Sequence, residues 1–217
     1  MWDDPQDDSR AVRPYRSPLR EQQAEATRTR VCQAAAPLFA DRGYTRTSVR
    51  QLAAAAGVAV ETVYAVGGKA AVFLRSFELA FSGTAHGASL LDLAELTPAW
   101  AATTLDEVVE GMTTFIVDSN ERSAGLWSAY VEAANSDAAL AAAYATRMRA
   151  MRVDGRRILA ALVDRGLCAL PPDPDRTVDA VWVALHPSQH VLLVTHAGWS
   201  RADYHDWVFS TVLRLLS

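Results

Sequence analysis

The sequence has no apolar run of the roughly 18 residues that a membrane-spanning helix requires. Its first residues, Met1-Trp2-Asp3-Asp4, lack the basic and apolar segments of an export signal. Cysteine is scarce: Cys32 and Cys168 alone build neither a disulfide framework nor a cysteine-rich zinc site. Lysine is nearly missing, a single Lys69 beside twenty Arg, a bias into which no function is read. Catalytic signatures are wanting too: there is no Gly-x-Ser-x-Gly elbow, phosphate loop or metal-ligand cluster. His186 and His190 have the spacing of a helical metal pair, but Pro187 interrupts them and no Glu follows His186. The expectation is a reduced, cytoplasmic protein without membrane contact, not an enzyme, carrying no cofactor or metal.

Alanine, by contrast, occurs 40 times, against 11 Gly and 9 Pro, and half of the chain is hydrophobic. Ala loses the least entropy in a helix, and no alternating pattern suggests a strand. The formal charge of −4 conceals a division. Residues 1–8 carry −4, residues 9–76 carry +7, and residues 77–217 carry −7. A small basic block ahead of a larger acidic body fits a polyanion contact made by one part only.

Residues 1–17 mix Asp, Arg, Ser and Pro without periodicity and are expected to form a disordered tail. Ser17-Pro18 offers an N-cap and a proline at the first helical position, and a helix follows to about Arg42, closed by Gly43. Short helices are expected from Thr47, read as an N-cap, to Gly57 and from about Ala59 to Val66. A fourth runs from Lys69 to about Ser82, behind the Gly67-Gly68 break. Residues 83–104 read as irregular. Longer helices follow at about 105–120, 123–135, 137–165, 176–197 and 201–216, with Asp137 capping the third of these and Ser200-Arg201-Ala202-Asp203 resembling a capping box. The fold class is all-α, divided into a first unit over 18–67 and a larger helical one over 68–217.

The informative stretch is Gln51-Leu52-Ala53-Ala54-Ala55-Ala56-Gly57-Val58-Ala59-Val60-Glu61-Thr62-Val63-Tyr64. Two short helices that cross steeply across a tight turn can present the second to a DNA major groove. Ala53 is small where such helices approach, Gly57 can take the conformation of the turn, and Leu52, Val58 and Val63 fill the wedge between them. The joint pattern carries far more weight than the glycine alone.

Residues 28–73 resemble the DNA-binding domain of TetR-type transcriptional regulators. The likeness rests on Leu38-Phe39-Ala40, Gly43-Tyr44, Thr47-Ser48-Val49, Ala53-x-x-Ala56-Gly57-Val58, Thr62-x-Tyr64 and Lys69. One departure is Ala65-Val66-Gly67-Gly68, where the family has a longer, aromatic-rich run; another is the apolar character of Ala59, Val60 and Ala65. The resemblance implies nine or ten helices, a homodimer, a double-stranded DNA operator of near-palindromic sequence and a small-molecule effector. It sets Tyr44, Arg46, Thr47, Ser48, Arg50, Tyr64 and Lys69 toward phosphates, and Val60, Glu61 and Thr62 toward base edges. Glu61 stays open between a cytosine contact and a solvated or paired acid, and Thr47 between a helix cap and a phosphate ligand. Arg10, Arg13, Arg16 and Arg20 stay open between a minor-groove arm and a solvated tail.

For the larger unit, the resemblance implies dimerisation through the last two helices and a ligand cavity between the others. Apolar spacing proposes Val181, Leu185, Leu192, Tyr204, Trp207, Val208, Thr211, Val212 and Leu215 for the dimer interface. Aromatic and thioether residues on apolar helix faces propose Met112, Phe115, Trp127, Tyr130, Tyr144, Met148, Trp182 and His186 for a cavity suited to a mostly apolar or aromatic ligand. The leading reading is a repressor released from its operator by such a ligand. Activation, ligand-independent regulation and a protein-interaction module with a degenerate head remain as alternatives.

Overall fold

Helix α1, Pro18–Arg42, turns Val31, Cys32, Ala35 and Phe39 inward at helical spacing and ends where Gly43 takes φ 77°. The computed structural model describes residues 18–83, 89, 91–92 and 98–217. The tail expected over 1–17 and much of the irregular stretch over 83–104 lie outside the described residues. Among those that are described, all regular structure is helical.

Helices α2, Val49–Ala56, and α3, Val60–Ala65, form the helix-turn-helix. The N-cap of α2 is Ser48 rather than Thr47. Ser48 accepts from the Gln51 backbone N–H while the Gln51 side chain accepts from the Ser48 N–H, a complete capping box. Gly57 closes α2 at φ 63°, ψ 40°, the left-handed conformation that a side chain would disfavour. Leu52, Ala53, Ala56 and Val63 are buried in the wedge. Helix α4, Gly68–Ser82, follows Gly67 at φ 115°, where a Cβ would meet that of Ala71 at 2.7 Å. The paired glycines are therefore required by the turn itself.

After a 3-10 turn at Pro98–Ala101 come α5, Leu105–Ala134, and α6, Ala138–Asp164. Helix α5 is continuous, which corrects the expected interruption near 121–122. The polar residues at that point make internal ties. Asn120 donates to the Leu185 carbonyl at 3.1 Å and the Tyr204 hydroxyl at 2.9 Å. Arg122 donates to the Ala80 and Phe81 carbonyls, satisfying the end of α4. Asp137 caps α6 by accepting from the Ala139 and Leu140 backbone N–H groups.

The helix expected over 176–197 is two segments: α7, Pro174–Leu185, and α8, Pro187–His190, which continues as a π-helix over Val191–His196. Pro187 disfavours helical backbone at the residue before it, and His186 accordingly adopts φ −69°, ψ 137°. His186 Nδ1 then accepts from the Ser188 N–H, capping α8. Helix α9, Arg201–Leu216, opens on a complete Ser200–Asp203 capping box.

Two buried clusters organise these helices. One runs from Val31 and Phe39 of α1 through Phe73 and Phe77 of α4 to Trp127 and Tyr130 of α5 and Leu140 of α6. The other joins Val109 and Val117 of α5, Ala184 of α7, and Tyr204, Val208 and Val212 of α9.

Helices α1 and α5 touch where Gly125 faces Ala40. A Cβ on Gly125 would lie 2.8 Å from the Ala40 Cβ and 3.4 Å from its Cα. Gly125→Val is expected to lower stability by about 1–3 kcal/mol through overpacking, seen as a lower urea midpoint. At the α7–α8 break, burial holds His186 neutral and pushes its pKa down to about 4. A depressed histidine leaves stability intact above its ordinary 6.5 and removes it as the pH falls toward 4, because the unfolded chain takes the proton first. His186→Phe is expected to flatten the decline of the urea midpoint across that window. Some slope remains from His190, which burial also lowers.

Candidate nucleic-acid interface and ligand cavity

Helix α3 has its only buried side chain, Val63, turned toward α2, so the residues on either side of it face outward. Glu61 is exposed, Thr62 is half-buried, and Tyr64 is 63% exposed, with its ring free of the core. Val60 is half-buried and packs against the core, which leaves part of its surface outward. At the start of α2, Ser48 and Arg50 are exposed, and so is Arg46, whose Nε donates to the Arg42 carbonyl at 2.7 Å. These seven side chains are the sequence-proposed contact residues that reach the surface.

The other three are tied inward. Thr47 is 1% exposed, and its hydroxyl donates to the carbonyls of Gly43 at 2.8 Å and Leu38 at 3.4 Å. It acts neither as the cap nor as a surface donor; it joins the end of α1 to the start of α2. Tyr44 is 7% exposed and packs against Phe39 and Phe73, while its hydroxyl donates to Asp137 at 3.0 Å. Burial, followed by the hydrogen bond to Asp137 and then its charge, pushes the Tyr44 pKa up to about 12, so the phenol stays a donor. The Asp137 carboxyl is held below its usual range by the Leu140 backbone N–H and then by Tyr44. Lys69 is half-buried, with its ammonium 4.1 Å above the Tyr44 ring and 3.5 Å from the Thr45 carbonyl. Burial lowers its pKa against the opposing pull of Asp137 and Glu132. Tyr44, Lys69 and Asp137 thus form a junction between the helix-turn-helix and the α5–α6 corner. Sequence reading missed the Tyr44–Asp137 bond, because 93 positions separate the partners and neither carries a local sign of the other.

The eight residues proposed for a ligand cavity divide. Met112, Phe115 and Trp182 line a partly open apolar space of about 80 Å³ between α5, α6, α7 and α9. Its other walls include Ile116, Met151, Ile158, Leu159 and Leu162, and none of its lining residues is charged. Tyr130 instead reaches an open cleft of about 700 Å³ beside α4 and α6. There Arg147 pairs with Glu78, and its guanidinium carbon lies 4.6 Å from the Phe77 ring centre. Burial pushes the Arg147 pKa down to about 10. Trp127, Tyr144, Met148 and His186 line neither space. Trp127, Tyr130, Tyr144 and His186 pack ring against ring, with centres 4.7 to 6.2 Å apart.

The dimer set divides as well. Tyr204, Val208 and Val212 are almost wholly buried in the chain's own second cluster, which corrects their assignment to a partner-facing surface. Periodicity reports that a face is apolar, not what covers it. Val181 and Leu185 line the cavity, and Trp207 packs on the second cluster. Thr211 and Leu215 are half-buried, while Leu192 is 54% exposed. Val183 and Trp199, outside the proposed interface set, join Leu192 as large exposed apolar side chains.

Residues 31–74 match the family model of the bacterial regulatory proteins of the tetR family. No curated protein matches the chain by sequence. Several solved structures share the fold. A candidate TetR-family transcriptional regulator from Mesorhizobium loti is 20% identical, aligning 89% of this chain with 96% of its own at a TM-score of 0.68. Another candidate TetR-family regulator, from Rhodococcus, is 14% identical over 88% of this chain and 100% of its own, at 0.66. NalD, the secondary repressor of the MexAB-OprM multidrug efflux pump in Pseudomonas aeruginosa, is 16% identical over 89% and 98%, at 0.59. The family's DNA-binding motif thus lies on the exposed helix-turn-helix, and the chain as a whole shares the all-helical fold of solved structures described as TetR-family regulators.

Proposed function

We propose that this regulator is a repressor, binding as a homodimer to a near-palindromic operator and released by a small, mostly apolar ligand. The observation that carries the DNA-binding part is the outward face shared by α2 and α3. Arg46, Ser48 and Arg50 stand at the α2 end, and Glu61, Thr62 and Tyr64 on α3, over a wedge that buries Leu52 and Val63. Arg46 and Arg50 would neutralise phosphates, and the Tyr64 phenol would reach a phosphate beside the groove. Thr62, Glu61 and the outward part of Val60 would read base edges, with Val60 suited to a thymine methyl. Two heads related by a two-fold axis would read half-sites in successive major-groove faces. Support for a ligand comes from the uncharged cavity in the body, and support for a dimer from the exposed Val183, Leu192 and Trp199. A repressor role is also what NalD's own description states for that protein.

The reading is tested by fluorescence anisotropy on duplexes from the DNA flanking the chain's own gene, at several salt concentrations. Binding is expected to weaken steeply with salt, and Arg50→Ala to weaken it further while reducing the log–log salt slope by about 1 per subunit. Unchanged affinity and slope in Arg50→Ala would remove that residue from the interface. Absence of salt-sensitive binding to any duplex would overturn the reading.

A further inference from the structure

Both ends of the helix-turn-helix come together at one point of the body. The chain enters α2 through the turn that holds Tyr44, whose carbonyl accepts from the Thr47 backbone N–H at 3.2 Å. It leaves α3 through the turn into α4, where Lys69 reaches back to the Thr45 carbonyl and the Tyr44 ring. Lys69 thus closes α2 and α3 into a loop, and the Tyr44 hydroxyl fastens that loop to Asp137, between α5 and α6.

A single carboxylate has two tasks there. Asp137 Oδ1 accepts from the Ala139 and Leu140 backbone N–H groups at 2.9 and 3.2 Å, while Oδ2 accepts from the Tyr44 hydroxyl. The first turn of α6 and the entry to α2 therefore share one short side chain. The end of α5 comes close beside it, since a Cβ on Gly43 would collide with the Glu132 carboxylate. Lys69 also differs from the exposed Arg50 of the same unit. Its ammonium lies over an aromatic face, and Asp137 and Glu132 attract it. A phosphate would have to compete with two carboxylates and a ring face for that charge.

We propose that Asp137 is a positioning residue for DNA binding: acting through Tyr44 and Lys69, it fixes α2 and α3 against the α5–α6 corner, and Lys69 serves this tie rather than a phosphate. The proposal rests on the DNA-binding reading and goes beyond it by placing a determinant of affinity in the body, away from the outward face of α2 and α3. A head already held in place loses less conformational freedom on binding. Releasing it weakens the complex without removing a phosphate contact.

The test uses the full-length protein and a duplex that it binds, followed by anisotropy at several salt concentrations under conditions where urea unfolding shows each variant to be folded. Tyr44→Phe removes the hydroxyl and keeps the ring. Asp137→Ser keeps an N-cap but is too short to reach Tyr44. Each is expected to weaken binding about three- to tenfold, the range of one hydrogen bond, with the log–log salt slope unchanged. The double variant is expected to match the single ones, because both cut the same bond. Lys69→Met should also weaken binding at unchanged slope, where loss of a phosphate contact would lower the slope by about 1 per subunit. Lysine occurs once in the chain, so carbon-13-labelled lysine gives one ε-methylene signal. The Tyr44 ring is expected to hold that signal upfield of an exposed lysine and to keep it there when the duplex is added.

Unchanged or tighter binding in either Tyr44→Phe or Asp137→Ser would overturn the inference and leave the DNA-binding reading standing. So would additive losses in the double variant, a lower salt slope in Lys69→Met, or return of the lysine signal to the exposed position on addition of the duplex. An unmodified protein that binds no duplex overturns the DNA-binding reading itself, and this inference falls with it.

Discussion

Phe73 of α4 meets Phe39 edge-on with ring centres 5.0 Å apart, and meets Tyr44 and Tyr130 at 5.4 Å. Through that ring, the helix-turn-helix and the body share one continuous core. Removing a buried aromatic of this kind from a close-packed interior typically costs about 3–5 kcal/mol, so the head cannot swing away from α5 without exposing much of the core. The aromatic contact is also what gives the polar junction its meaning. Tyr44 can place its hydroxyl 3.0 Å from Asp137 only because its ring is clamped between Phe39 and Phe73, with Lys69 above it.

Helix α4 is bound on every side that matters for transmitting a change. Ser76 donates to the Cys32 carbonyl of α1 at 2.9 Å, and Arg75 pairs with Glu25 at 2.5 Å. Glu78 pairs with Arg147 of α6, and Arg122 of α5 satisfies the carbonyls at the α4 end. A packed helix with such ties has few intermediate positions; it moves as a unit or stays. The apolar cavity, by contrast, lies against the second cluster, where α7 and α9 pack on α5. Its walls include residues of α7, which also carries the exposed Val183, and of α9, but none of α4.

The all-helical architecture was legible because its signals are local. Alanine content, the inward spacing of Val31, Ala35 and Phe39, and the stops at Gly43 and Gly57 each act within a turn or two of the chain. The recognition motif was legible for the same reason, since Ala53, Gly57 and Val63 answer steric demands between adjacent helices. Boundaries were lost where one residue could serve in two ways. Thr47 and Ser48 are both good caps, and Thr47's bond to Gly43 decided between them. The continuity of α5 through Asn120 and Arg122 was not legible because their partners, on α7, α9 and α4, are remote in sequence.

The sequence by itself determined the class of fold, the helix-turn-helix and the basic character of the block that contains it, because propensity, capping and charge are properties of neighbouring residues. It also determined which helix faces are apolar. Only the tertiary structure decided what covers those faces: whether Tyr204 and Val208 meet a partner or their own chain, whether Trp127 or Trp182 borders an empty space, and whether Tyr44 faces outward or toward Asp137. An apolar stripe is stabilised equally by any complementary surface, since the hydrophobic effect is non-directional. The choice among surfaces belongs to the packing of helices far apart in the chain.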